Sequence, residues 1–273
     1  MRYIGFIWIA FLLYGCKENP EEMNDFYKVY GSDSAVLSQM MDEISAQMVI
    51  FGHQSVGKNI LAGVARWEEE EDVTLNRVTT REMNGYTDSV FIDFQVGTNL
   101  EPRTKIDDFV SVVEGIPDET VCFAFFKFCY VDVDENTDVD ALFEYYRERM
   151  GYLRELKPNV NIILFTTPLK TVEGGLKATA KKALSRLPGG FPDNITRNAF
   201  NDRIINEMSG DFPVFDLAGI ESTLTNGKAC TFSSGGGEYR CLAEVYSTDG
   251  GHLNELGSRI AAYNLIAFLA GEF

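Results

Sequence analysis

Along this chain, short runs that are mainly apolar alternate with longer stretches in which apolar residues recur every three to four positions. Residues 48–51, 90–96, 120–130, 160–166 and 213–217 are mainly apolar runs that read as strands, and 73–80 alternates with the period of two that a half-buried strand requires. Ile106, Phe109, Val110 and Val113 repeat at helical spacing, and further helices are predicted over 35–47, 56–70, 139–156, 197–208 and 253–269. Ser32-Asp33-Ser34 offers a cap for the first of these. Strands that are apolar on both faces, each followed by a helix, predict an α/β fold with a mostly parallel sheet between two helical layers. Neither an internal repeat nor a second composition regime interrupts 32–273, so one domain is expected there.

The start of the chain follows a different pattern. Arg2 precedes an almost unbroken apolar run from Tyr3 to Tyr14, too short to span a bilayer and of the length of a signal peptide's apolar region. Leu13-Tyr14-Gly15-Cys16 resembles the bacterial lipobox, which implies cleavage after residue 15 and a lipid on Cys16. Residues 16–31 are polar and acidic and read as a tether. The expected address is the cell envelope, outer membrane or cell surface, with membrane contact through the lipid only.

Composition narrows the function classes. With 273 residues, 45% of them hydrophobic, the chain can fill a large core, and its net charge of −17 argues against a nucleic-acid partner. Export permits disulfides, and Cys230 and Cys241 flank a flexible Ser233-Ser234-Gly235-Gly236-Gly237 stretch that could bring them together. Cys122 and Cys129 are an odd seven positions apart in one strand-like run, so they should face opposite ways. Two histidines and no CxxC pair are too few ligands for a structural zinc site, and no metal is expected.

In an open parallel sheet the chemistry gathers where strands end and helices begin. Between the first predicted strand and its helix, Gly52, Gly57 and Lys58 spell most of a phosphate-binding loop. Asn59 stands where that loop needs a hydroxyl for magnesium, no strand ends in a suitable acid, and an exported protein meets little ATP. The other reading makes Ser55 a nucleophile at the start of a helix, whose amides and dipole favour an oxyanion. Thr248-Asp249-Gly250-Gly251-His252-Leu253-Asn254 supplies its complement just before the last helix. An Asp three residues before a His can accept the Nδ1 hydrogen and turn Nε2 toward a serine, which needs such a base to lose its proton.

A serine followed by a helix early in the sheet, and Asp-x-x-His-Leu-Asn before the last helix, resemble the SGNH (GDSL-type) hydrolases over most of 48–273. The resemblance implies a flavodoxin-like three-layer α/β/α sandwich, with Ser55 as nucleophile, His252 as general base and Asp249 as its orienting partner. It implies no cofactor, and it places a glycine amide in the oxyanion hole beside the Ser55 amide, best matched by Gly97, with Gly85 as the alternative. Two departures stand out: His53-Gln54-Ser55-Val56 replaces the usual Gly-Asp-Ser-Leu, and Lys127-Phe128-Cys129-Tyr130-Val131-Asp132 carries no asparagine where the family has Gly-x-Asn-Asp. Lys127 or Tyr130 is expected to donate instead. His53, Gln54, Asn99 and Tyr130 are candidate substrate contacts, and Tyr86, Tyr130 and Phe191 could stack on sugar rings. The expected activity is that of a serine esterase or deacylase acting on acylated carbohydrate, a small-molecule or glycan ester. The alternative is a glycan-binding surface lipoprotein that keeps the fold without turnover.

One segment departs from the acidic background. Lys170, Lys177, Lys181, Lys182 and Arg186 face only Glu173 between positions 170 and 186. This reads either as a basic lid favouring an anionic substrate or as a surface helix paired with neighbouring acids.

Overall fold

The computed structural model describes residues 34–83, 85–86, 88–172 and 191–271. Cys16, the tether and the basic side chains Lys177, Lys181, Lys182 and Arg186 lie outside the described residues. In chain order the elements are α1 (Ser34–Ser45), β1 (Met48–His53), α2 (Val56–Glu71), β2 (Arg77–Thr79), β3 (Val90–Gln95), α3 (Pro102–Glu114), β4 (Cys122–Phe126), α4 (Val139–Leu156) and β5 (Val160–Phe165). After residue 190 come α5 (Phe191–Arg203), continued as a π-helical turn over Ile204–Met208, then β6 (Val214–Phe215) and α6 (Leu217–Glu221). The hairpin β7 (Thr231–Ser234) and β8 (Gly237–Arg240), a 3-10 turn over Glu244–Tyr246 and α7 (Glu255–Ala270) complete the series.

Six strands form one parallel sheet in the order β2-β3-β1-β4-β5-β6. Without the short edge strand β2, this is the order of a flavodoxin-like sheet. Alternate residues of each strand enter different cores. Val49 and Phe51 of β1 pack with Ile60, Val64 and Trp67 of α2, with α1 and with α7. Met48 and Ile50 face the other way, toward Ile106, Phe109 and Val113 of α3 and the apolar stripes of α4 and α5. The fold is therefore the three-layer α/β/α sandwich predicted from the pattern. The chain leaves β1 toward β3 on one side and returns to β4 on the other, so the loops after these strands diverge and leave a crevice at their carboxyl ends.

The strand predicted over 73–80 shrinks to Arg77–Thr79, because only three of its residues find partners, from Arg77 opposite Phe91 to Thr79 opposite Asp93. The run 120–130 is strand only to Phe126, and its remainder becomes a buried loop at the carboxyl edge. Cys230 and Cys241 stand opposite each other at the open end of the β7–β8 hairpin, the Cys241 amide donating to the Cys230 carbonyl at 3.0 Å. Both are thiols, so the bridge considered from the sequence is not formed in the structure.

Candidate active site

The β1–α2 turn reverses the chain within two residues. Ser55 takes φ 48° and ψ −108°, a conformation that non-glycine residues rarely adopt and that costs on the order of 1–3 kcal/mol. Gly57 lets the first turn of α2 close on the strand, since a Cβ there would lie 2.4 Å from the Cβ of His53. Gln54 pins the turn to the next loop, its amide nitrogen donating to the carbonyls of Val96 and Gly97, both at 2.7 Å. The Gln54 amide nitrogen is thus committed to backbone.

Opposite this turn, the loop before α7 is built around Asp249 and Asn254. Asn254 caps α7, its side-chain oxygen accepting the Gly257 amide at 3.0 Å, while its own amide donates to the Tyr246 carbonyl at 2.8 Å. Asp249 accepts the amides of Gly251 (3.0 Å) and His252 (2.8 Å) on one oxygen and faces His252 Nδ1 at 2.6 Å with the other. Desolvation pushes the Asp249 carboxyl up, but the His252 amide, the His252 ring and the Gly251 amide outweigh it and hold it at about 2. Asp249 is therefore a carboxylate at neutral pH, and a hydrogen on Nδ1 leaves Nε2 as an acceptor. Ser55 Oγ lies 2.6 Å from that Nε2. The structure thus brings Ser55, His252 and Asp249 into one hydrogen-bonded chain across the carboxyl edge. Tyr130 borders it, its ring edge-on to His252 at 5.5 Å and the Lys170 ammonium 5.5 Å above the ring.

Two residues expected at the oxyanion hole are engaged elsewhere. The Gly97 amide donates to Asp108 Oδ2 at 2.7 Å, so a carboxylate already occupies that donor. Gly97 instead provides close approach: it has φ 48°, and a Cβ would fall 2.6 Å from the backbone of Lys105. Lys127 is wholly buried, its ammonium donating to the Phe128 carbonyl at 3.0 Å, and burial lowers its pKa. It points into the interior and is not a donor at the site surface. Gly85, the alternative glycine, is a turn residue with open space around its Cα.

His53 is also inside. Its Nε2 meets Asp93 Oδ2 at 3.2 Å, and burial lowers its pKa despite that carboxylate. It braces the turn from below, which corrects its reading as a substrate contact. Tyr86 packs against the second core cluster. Asn99 is exposed in the loop between β3 and α3, held through its oxygen by Lys105. Beyond Tyr130, Val131 and Asp132 wall a cleft of about 400 Å³ whose other lip is formed by Leu100 to Thr104. Sequence reasoning missed Asp93, Asp108, and the buried pair Lys105 and Asp132. An acid inside the apolar run of β3 was a readable signal for Asp93; Lys105 lies within a helical pattern and gives none. Among the described residues, no group of three or more His, Cys, Asp or Glu side chains is placed to hold a metal ion.

No family model matches the sequence, and no curated protein matches it. Several solved structures are similar to the chain at low identity. A proposed platelet activating factor from Streptococcus pneumonia is 13% identical, with 90% of this chain and 95% of that chain covered and a TM-score of 0.46. The periplasmic domain of a lipopolysaccharide acetyltransferase from Salmonella ser. Paratyphi A is 12% identical, with coverages of 87% and 94% and a TM-score of 0.40. A member of the lipolytic G-D-S-L family from Veillonella parvula is 13% identical, with coverages of 81% and 96% and a TM-score of 0.41.

Proposed function

We propose that this protein is a serine hydrolase of ester bonds, an esterase or deacylase of acylated carbohydrate. The observation that carries the reading is the chain from Ser55 Oγ through His252 Nε2 and Nδ1 to Asp249, with both heavy-atom distances at 2.6 Å. Ser55 Oγ attacks the acyl carbon as His252 takes its proton, and the ester carbonyl pair moves onto its oxygen. Collapse breaks the bond to the alcohol, which leaves with the proton from His252. Water, deprotonated by the same ring, then releases the acid and restores Ser55. Asp249 holds the ring in the required tautomer and stabilises the imidazolium between these steps. The carbohydrate preference rests on the range of the hydrolases that the sequence resembles, and on the exported, Cys16-lipidated address proposed from the N-terminus.

The test is hydrolysis of short-chain aryl and acetylated-sugar esters. Turnover in the parent should fall at least about 1,000-fold in both Ser55→Ala and His252→Ala. Equal turnover in all three proteins would overturn the reading. The engagement of the Gly97 amide and of Lys127 favours a second reading, a glycan-binding protein without turnover. Saturable binding of acetylated glycans by a parent that hydrolyses none of these esters would establish it instead.

A further inference from the structure

The loop joining β3 to α3 is tied down at almost every polar group. Gln54 holds two of its carbonyls, Asp108 holds the Gly97 amide, the Thr98 amide donates to Thr104 Oγ1 at 2.9 Å, and the Leu100 amide donates to Asp132 Oδ1 at 2.9 Å. Leu100 has φ 70° and is 71% exposed, a strained backbone that only its surroundings maintain. From the first turn of α3, the completely buried Lys105 donates to Asp132 Oδ2 at 2.5 Å and to Asn99 Oδ1 at 2.7 Å. An ammonium only donates, so the oxygen of Asn99 faces Lys105 and the amide nitrogen faces away. That nitrogen makes no hydrogen bond among the described residues, and Asn99 is exposed.

Strand register places this loop beside the Ser55 turn. Pairing of His53 with Gln95, and of Gly52 with Phe126, sets Ser55 at the level of Gly97 on one side and Cys129 on the other. Asp132 spans the gap, accepting the Cys129 amide at 2.5 Å with one oxygen and the Leu100 amide with the other. The Lys105–Asp132 pair therefore bridges the two loops that flank Ser55, and Asn99 is mounted on it. A buried ion pair adds little stability over apolar residues of the same volume, but it fixes the geometry of whatever it holds.

We propose that Asn99 donates a hydrogen bond through Nδ2 to the ester oxygen that becomes the oxyanion, with Lys105 and Asp132 as its positioning residues. The proposal rests on the serine-hydrolase reading of Ser55. As Ser55 Oγ bonds to the acyl carbon, the carbonyl electron pair moves to oxygen, and the Asn99 amide and the Ser55 amide stabilise it without transferring a proton. Asn99 thereby fills the place that the occupied Gly97 amide and the buried Lys127 leave open.

The experiment measures kcat and KM for an acetylated-sugar or aryl ester, and the rate of Ser55 labelling by a fluorophosphonate. The proteins compared are the parent, Ser55→Ala, Asn99→Ala, Asn99→Asp, Lys105→Gln and the Lys105→Gln/Asn99→Ala double variant. A donor used only in the transition state should cost Asn99→Ala about 100- to 1,000-fold in kcat with little change in KM, and labelling should slow as well. Asn99→Asp should be no better. Lys105→Gln should lower kcat in the parent background and add little once Asn99 is alanine, a non-additivity that a purely structural role would not produce. If Lys105→Gln does not fold, the two variants at the exposed position 99 decide alone. A parent that turns over, with Ser55→Ala inactive and Asn99→Ala within about threefold of the parent in kcat, overturns the proposal and leaves the serine reading standing. A parent that neither turns over nor labels overturns both.

Discussion

At the scale of single residues, the strain at Ser55 is measurable apart from its chemistry. Its φ of 48° and ψ of −108° suit glycine better than any residue with a Cβ. Ser55→Gly and Ser55→Ala both lose the hydroxyl and its contact with His252, but only the glycine relieves the backbone. Thermal unfolding should find Ser55→Gly more stable than Ser55→Ala by about 1 kcal/mol; a glycine variant equal to or below the alanine one would mean that the turn is relaxed. The Asp249–His252 contact is legible in the sequence because it is local, an Asp–His spacing that closes on itself, whereas Ser55 meets His252 across 197 positions and only its place at a strand-to-helix turn can be read. The engagement of the Gly97 amide and of Lys127 is not legible, for the opposite reason. The acceptor of the Gly97 amide, Asp108, comes from within α3, and Lys127 turns inward because the chain bends right after β4. No local pattern reports either event.

At the scale of elements, the central strands are readable because both of their faces are covered and most of their positions are apolar. The edges are less so. The alternation over 73–80 is real, yet an edge strand extends only as far as its neighbour pairs with it, and β3 offers three partners. The hairpin β7–β8, with four residues per strand, and the five-residue helix α6 are too short to show a readable period. The joint between β1 and α2 is a tight element contact beside Ser55, and Gly57 makes it possible. Adding one methyl there drives it against His53, which is itself wedged beside Phe51 at a ring distance of 4.9 Å and held by Asp93. Gly57→Ala should therefore destabilise the protein by about 1–3 kcal/mol in urea unfolding and shift the Ser55 turn enough to lower turnover. Parent-like stability and turnover together would show that α2 can slide outward at no cost.

Across the whole molecule, buried polar groups gather at the carboxyl edge of the sheet, where Lys105, Lys127, Asp132, Arg197 and Glu221 are all enclosed beneath the site loops. Glu221 of α6 is the least compensated of them. One of its oxygens accepts the Leu169 amide after β5, and the other has no partner among the described residues. Desolvation raises its pKa from 4.5 to about 8 against the pull of the Leu169 amide, Lys127 and Arg197, which favours the protonated acid in the folded protein. Between pH 4.5 and about 8 the unfolded chain has released a proton that the fold retains, and stability must fall as pH rises through that window. His53 acts with the opposite sign: its folded pKa lies below 6.5, so its contribution grows as pH rises to that value and is constant above it. His53 therefore adds no slope above pH 6.5, and comparing the parent with Glu221→Gln subtracts the titrations that the two proteins share, those of Lys127, Cys122 and Cys241 among them. Glu221→Gln keeps the shape and removes the titration, so its urea midpoint should decline less than the parent's between about pH 6.5 and about pH 9. Parallel curves for the two proteins would mean that Glu221 is already ionised in the fold, with Lys127 and Arg197 stabilising it as a carboxylate. A parent that loses stability across this window while Glu221→Gln does not would place an uncharged acid in the floor of the site.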